Sequence, residues 1–312
     1  MSEHYSVMLK ETIELLNINP KGVYVDGTLG RGGHSKSILN KLTTGSMICF
    51  DKDEDAINLS KDILVDYKEK IKFIHEDFIK AKEILNNEQI YEIDGFLLDL
   101  GVSSPQFDKG ERGFSYRFDS RLDMRMDKRQ KLTAYEVVNN YTFNQLVVML
   151  LKYGEERNAK LIARGIEKQR LLKPIETTFE LVDVIKKSLP NKVLSKKGHP
   201  AKQTFQAIRI EVNDELDCLD ESILNLCSLL KVGGRGVIIT FHSLEDRIVK
   251  NVFNKLSTAP FVNSKIPLLP SQMEQADYRV INKKPLTASK EELEVNNRSH
   301  SAKLRCIEKI RG

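Results

Sequence analysis

Val23-Tyr24-Val25-Asp26-Gly27-Thr28-Leu29-Gly30-Arg31-Gly32-Gly33-His34-Ser35 decides how the rest of this chain is read. A short apolar run closes on an acid, a glycine-dense turn follows, and a helical pattern begins. That succession is the ligand-cradling corner of an α/β sheet. Glycine permits positive φ and lets a bound molecule lie on bare backbone, while the N–H groups opening the next helix attract electron-rich atoms. Ser46-Met47-Ile48-Cys49-Phe50-Asp51 is a second apolar run ending in a carboxylate, roughly twenty residues past the glycines, where an acid can accept from both hydroxyls of a ribose. Ile71-Lys72-Phe73-Ile74-His75 reads as a third strand, with Glu76-Asp77-Phe78 after it, and Ile93-Asp94-Gly95-Phe96-Leu97-Leu98-Asp99 as a fourth. Ligands of open α/β sheets bind outside the carboxyl ends of the strands, so Asp26, Asp51, Asp77 and Asp99 are expected round one crevice. Asp77 serves equally well as a helix cap.

Strand and helix alternate as far as Asp99, and then the pattern changes. From Asp108 to about Leu194 the spacing predicts helices only: Thr133 to Asn139, Phe143 to Leu151, Glu155 to Gln169 and Thr178 to Ser188, punctuated by Pro174, Pro190 and Pro200. Ala207 to Leu230 reads as one long helix, with Gly233-Gly234 as its left-handed cap. Arg235 to Phe241 is then a strand, Leu244 to Leu256 a helix, and Tyr278 to Ile281 and Lys303 to Ile307 two closing strands. Ser257 to Glu294, rich in proline and polar residues, reads as loop. The α/β core, residues 1–107 and 202–312, is thus interrupted by a helical insertion, residues 108–201.

The 312 residues are 40% hydrophobic and 30% charged, the composition of a globular protein. No run approaches the roughly 18 apolar residues of a membrane span, and Met1-Ser2-Glu3-His4-Tyr5 lacks a signal-peptide core, so a cytoplasmic address is expected. Cys49, Cys218, Cys227 and Cys306 stand alone, as small core residues do, and no metal is expected. The net charge of +5 is unevenly spread: Asp108 to Arg209 carries 22 Lys or Arg against 12 Asp or Glu, leaving 27 against 32 elsewhere. A basic region of this kind favours polyanions through phosphate contacts and counterion release, or is simply a solvated surface.

Several blocks carry a resemblance. Asp26 to Ser35, Leu97-Leu98-Asp99-Leu100-Gly101-Val102-Ser103-Ser104-Pro105-Gln106 and Leu122-Asp123-Met124-Arg125-Met126-Asp127 resemble the bacterial 16S rRNA (cytosine-N4)-methyltransferases. So do Tyr153-Gly154-Glu155-Glu156-Arg157, Thr204-Phe205-Gln206-Ala207-Ile208-Arg209-Ile210 with Val212-Asn213, and Phe241-His242-Ser243-Leu244-Glu245-Asp246-Arg247-Ile248-Val249-Lys250. The resemblance implies a Rossmann-like class I methyltransferase sheet with an inserted all-helical, RNA-recognising domain. It implies transfer of a methyl group from S-adenosyl-L-methionine to the exocyclic N4 of a cytidine in the decoding region of 16S ribosomal RNA. The RNA is expected within the small ribosomal subunit; no membrane is involved, and a homodimer is left open. Carried over, the cofactor contacts are Gly32, Gly33, His34, Asp51, Phe78, Asp99 and Gln106. Two departures, Gln203 before Thr204-Phe205 and Asn297-Arg298-Ser299-His300 near the end, are expected to weaken phosphate contacts.

The chemistry of these residues agrees with the implied roles. An acid binds a diol, an aromatic covers a purine face, and a carboxylate accepts from an ammonium. Because the cytosine amino lone pair is delocalised into the ring, an acceptor on its protons favours the transition state. Asp99, or the backbone carbonyls of Gly101 to Ser103, are placed to do this; Asp99 is the best single candidate, its competing role being to hold the cofactor's amino group. For the substrate, Phe107, Phe114, Tyr116 and Phe118 alternate with Arg112 and Arg117, a mixture suited to stacking on a flipped base and gripping its phosphates, or to burying the junction between insertion and core. His242 is placed by the strand-end rule to contact substrate or water, with Ser243 as cap of the following helix. A nicotinamide-dependent dehydrogenase is disfavoured, since Gly27-x-x-Gly30-x-Gly32-Gly33 lacks the Gly-x-Gly-x-x-Gly spacing. A non-catalytic RNA-binding factor is disfavoured by the intact Asp51 and Asp99.

Overall fold

The computed structural model describes residues 6–101, 110–259 and 275–312. Its contacts separate two compact units, Met1–Gly101 with Asp217–Gly312, and Val102–Leu216. The strands are β1 (Val23–Asp26), β2 (Ser46–Phe50), β3 (Ile71–Ile74), β4 (Ile93–Asp99), β5 (Leu230–Thr240), β6 (Tyr278–Val280) and β7 (Lys303–Lys309). Helices α1 (Leu9–Leu16), α2 (Gly33–Leu39), α3 (Glu54–Ile63) and α4 (Ala81–Asn87) precede the second unit. That unit holds α5 (Ala134–Asn140), α6 (Phe143–Gly154), α7 (Ala159–Arg170), α8 (Thr178–Ser188), α9 (Asn191–Leu194) and α10 (Lys202–Asn213). The first unit resumes with α11 (Leu219–Ser228), α12 (Ser243–Leu256) and α13 (Lys290–Val295).

The first unit is the Rossmann-like α/β sheet, in the order β3-β2-β1-β4-β5-β7-β6. Strands β1 to β5 run parallel and β7 antiparallel between β5 and β6. Both faces of β2 and β4 are covered, which is why they read as continuous apolar runs rather than alternating ones. The order turns back at β1, with β2 on one side and β4 on the other, and this is the switch point where open sheets bind ligands. The register sets the depth of the crevice. Asp26 stands opposite Cys49 on β2 and Leu97 on β4, so Asp51 and Asp99 project two residues further on either side, where β1 has given way to the glycine turn.

Three sequence expectations change. Ala207 to Leu230 is not one helix: Asp214 takes the left-handed conformation (φ 52°) and closes α10 by donating its N–H to Ile210 O, before α11 begins. Gly233 and Gly234 cap nothing. They lie in β5, where Lys231 to Gly234 bulge out between the pairings Ile93 with Leu230 and Gly95 with Arg235, and Gly233 has φ 84°. The stretch read as loop before residue 295 contains, besides the expected strand β6, the helix α13, capped by Ser289 accepting from the Glu292 N–H at 3.2 Å. None of the four cysteines forms a disulfide, and among the described residues no helix is long and apolar enough to cross a membrane.

In the second unit α10 packs along α6, and Phe205, Ala207, Ile208, Ile210 and Val212 join Leu146, Met149 and Leu150 in one apolar cluster. The compact helical unit therefore includes α10, which sequence spacing assigned to the core. The irregular segment before α5 is held by polar side chains. Asn213, 4% exposed, accepts from Met126 N at 2.7 Å and donates to Met124 O at 2.7 Å and Arg209 O at 2.8 Å. Met124 is fully buried at φ 59°, a conformation a methionine holds only when its surroundings enforce it. Arg112 donates to Arg125 O at 2.7 Å and Met126 O at 3.1 Å. The Leu122-to-Asp127 and Asn213 blocks are thus two halves of one staple. Asn213→Leu strands a buried donor and acceptor together, and urea unfolding is expected to show a loss of about 2–4 kcal/mol.

Candidate active site

The crevice is built from the end of β1 outward. Asp26 is 1% exposed; its Oδ1 accepts from Thr28 N at 3.0 Å and its Oδ2 from the Ser35 hydroxyl at 2.6 Å. Burial pushes its pKa up, against the pull of the Ser35 and Thr28 bonds. Thr28 Oγ1 accepts from Asp99 N at 2.6 Å, which fixes the end of β4 to the turn. Gly30 N donates to Asp51 Oδ2 at 2.8 Å and Asp53 N to Asp51 Oδ1 at 2.9 Å, which fixes the end of β2. Gly30 and Gly32 adopt φ 53° and 71° to complete the turn, and a Cβ on Gly32 would press within 2.9 Å of Leu64.

Three sequence-predicted residues follow directly. Asp51 has both oxygens anchored from behind, and burial pushes its pKa up to about 6 despite those two bonds. His34, in the first turn of α2, bonds Val7 O through Nε2 at 2.9 Å, and its Nδ1 lies 3.8 Å from Asp99 Oδ2. Burial lowers its pKa, which favours the neutral ring. Asp99 is 27% exposed, yet its Oδ1 is buried and has no hydrogen-bond partner among the described residues. Burial pushes its pKa up to about 7, opposed by the Arg298 guanidinium and reinforced by Glu245. A carboxylate with an open oxygen and a near-neutral pKa is equipped to accept a proton or a hydrogen bond from a ligand nitrogen.

The remaining predicted residues divide. Gly33 opens α2 against Ser6, and Phe78 opens a short 3₁₀ turn behind Asp77, half-buried. Asp77 caps that turn by accepting from Ile79 N at 3.1 Å and pairs with Lys52 at 3.0 Å. His242, rather than Ser243, is the N-cap of α12: its Nδ1 accepts from Glu245 N at 3.4 Å, and Glu245 Oε2 accepts from Phe241 N at 2.7 Å and His242 N at 3.3 Å. That capping box engages Nδ1 of the ring which sequence position had assigned to substrate, and Nε2 lies 3.0 Å from Glu245 Oε1. Gln106 and Phe107 lie outside the described residues. Phe114, 3% exposed, belongs to the helical core beneath Arg112. Arg117 is exposed.

Sequence reasoning missed the chain ends. Ser6, Val7, Glu292 and Arg298 all reach this crevice or its supports, and Arg298 acts on Asp99 although its block was read only as a departure that weakens phosphate contacts. The Ser289-to-Glu292 spacing was the available signal of a capped helix there.

Residues 1–310 match the MraW methylase family. The chain belongs to that family. Two relatives named ribosomal RNA small subunit methyltransferase H share its full length. That of Exiguobacterium sibiricum is 50% identical over 311 residues, covering 100% of this chain and 99% of its own. That of Streptococcus dysgalactiae subsp. equisimilis is 52% identical over 311 residues, covering 99% and 98%. An rRNA methylase structure from Streptococcus thermophilus covers 97% of this chain and 94% of its own at TM-score 0.41 and 12% identity, a likeness too slight to argue from. The chain is therefore a methyltransferase.

The raised pKa of Asp99 has a thermodynamic consequence. An acid that holds its proton more tightly folded than unfolded favours the folded state at low pH, and that stability is lost as pH rises from about 4 through about 7. Asp99→Asn is expected to match the wild type near pH 4 and to exceed it by about 2–4 kcal/mol at pH 8, measured by chemical unfolding across the range.

Proposed function

We propose that this MraW-family enzyme transfers a methyl group from S-adenosylmethionine to the exocyclic N4 of a cytidine in the decoding region of 16S ribosomal RNA, within the small subunit in the cytoplasm. The observation that carries the reading is the buried Asp99 Oδ1 beside the glycine turn, without a hydrogen-bond partner among the described residues, in a chain whose relatives at 50% and 52% identity are named ribosomal RNA small subunit methyltransferases. The residues suit the donor. Bare backbone at Gly32 and Gly33 accommodates its close approach, Asp51 keeps a lone pair on each oxygen for a ribose diol, and Phe78 offers an apolar face to a purine. S-adenosylmethionine supplies a methyl group already activated on a sulfonium.

What remains for the protein is alignment and proton handling. The amino nitrogen of cytosine is a weak nucleophile until an acceptor engages its protons, and it must lose one after it gains carbon. Asp99 Oδ1 is the acceptor, and a pKa near 7 suits it to take that proton at neutral pH. His34 stays neutral and orients toward the same carboxylate.

RNA binding falls to the helical unit, which carries the positive surplus. Tyr116 and His199 stack with centroids 4.1 Å apart, Phe205 meets Tyr116 edge-on at 5.7 Å, and Lys186 and Arg117 press their charge on the imidazole, whose pKa burial lowers further. Lys196 and Lys197 are exposed in the same loop as His199. Flat rings ringed by lysine and arginine suit a phosphodiester strand with unstacked bases.

Two measurements test the reading. Radiolabelled methyl incorporation into undermodified small subunits should appear at one cytidine N4 in the wild type and fall about 100- to 1,000-fold in kcat for Asp99→Asn. Label found only in DNA or a small molecule would sink the substrate assignment. The double variant Lys196→Glu, Lys197→Glu is expected to raise KM for the subunit about tenfold at unchanged S-adenosylmethionine affinity. It should flatten the salt dependence of RNA binding by about one to two in log–log slope.

A further inference from the structure

Both ends of the chain return to the glycine turn, and one carboxylate ties them there. The Val7 carbonyl can only accept, so the 2.9 Å contact with His34 Nε2 assigns the ring proton to Nε2 and leaves Nδ1 as a lone pair. That lone pair faces Asp99 Oδ2 at 3.8 Å, and Asp99 Oδ1 has no hydrogen-bond partner among the described residues. Acceptor facing acceptor is satisfied when one nitrogen carrying several N–H groups enters between them. Val7 is itself fixed by its neighbour. Met8 is fully buried in the left-handed region (φ 50°, ψ 40°), and its N–H donates to Glu292 Oε1 at 2.8 Å. The Ser299 hydroxyl donates to the same oxygen, and the Glu292 N–H is bound by Ser289, so the carboxylate is held from both sides.

We propose that Glu292 is a positioning residue for methyl transfer: it pins the N-terminal strap so that Val7 holds His34 in its Nε2–H form, with Nδ1 and Asp99 directed at one donor nitrogen. The proposal rests on the S-adenosylmethionine-dependent reading only for whose nitrogen this is, the cofactor's ammonium or the target's amino group. A carboxylate that served α13 alone would leave the His34 tautomer indifferent to its removal, and that separates a positioning role from a purely structural one.

The test combines ring ¹⁵N shifts of His34 in the full-length protein, assigned against His34→Gln, with S-adenosylmethionine calorimetry. Wild-type His34 is expected as the Nε2–H tautomer. Glu292→Ala should mix the tautomers and raise the dissociation constant about tenfold, the worth of one hydrogen bond to a charged group. Glu292→Gln, which keeps an acceptor oxygen, should restore both readouts to within about twofold. An Nδ1–H tautomer or an imidazolium in the wild type, or unchanged His34 shifts in Glu292→Ala, overturns the proposal. Should Glu292→Ala fail to fold, Ser299→Ala takes its place under the same criteria, with a rise of about threefold. If the wild type ignores S-adenosylmethionine while His34 behaves as described, the functional reading fails and the relay stands.

Discussion

A carboxylate at the end of the first strand organises this molecule. Asp26 is almost wholly buried, and an acid in that position is tolerated only if its oxygens are occupied. The occupants are a backbone N–H two residues ahead and a hydroxyl nine residues ahead, so the chain must double back within the span of one turn. That return forces Gly30 and Gly32 into left-handed conformations and sets Ser35 on the first turns of α2, facing the sheet. Thr28 then carries the constraint sideways, its hydroxyl taking the N–H of Asp99, while Gly30 carries it the other way to Asp51. Three strand ends are therefore tied through one turn, and the spacing of the two outer acids follows from a bond network rather than from side-chain packing.

The sheet was legible because its central strands are buried on both faces, so apolar continuity and a terminal acid mark each one. The helical unit was legible from its apolar faces but not at its edge. Spacing alone cannot say which unit a helix joins, and α10 joins the partner its apolar face meets, α6. Asp214 ended that helix in a conformation usually left to glycine, so no local signal separated α10 from α11. In the crevice, the strand-end rule placed Asp51 and Asp99 because backbone register decides their position. It could not place His242 within a capping box, since a histidine at a helix start reads the same whether it caps or binds. Nor could it find Val7 or Glu292, whose parts are played across 27 and 284 residues of separation, where sequence spacing carries no information.

The helical unit shows the same separation of roles within a single motif-rich stretch. Arg112 and Phe114 look like nucleic-acid ligands in sequence, yet the guanidinium is spent on the carbonyls of Arg125 and Met126, and the ring is core. Arg117, a few residues on, is exposed beside the Tyr116–His199 stack. Aromatic and basic residues alternate through this segment because it must hold an irregular backbone together and present charge outward, and the two tasks use the same residue types.

The electrostatics of the crevice also account for which nucleotide-like ligand it suits. Asp26, Asp51 and Asp99 stand close enough that Asp26 raises the pKa of Asp51 and Asp99 raises that of Asp26, while Arg298 opposes the trend at Asp99. A dinucleotide brings a pyrophosphate to the glycine turn, and its charge would add to this repulsion. A sulfonium nucleoside with an ammonium group brings positive charge to the same place and relieves it. The turn glycines alone are compatible with either ligand, because bare backbone and helix N–H groups do not distinguish them. The acids distinguish them: hydrogen bonds within the protein offset the burial of Asp26 and Asp51, and the mutual repulsion that persists at the carboxyl ends of β2, β1 and β4 favours a ligand of opposite sign.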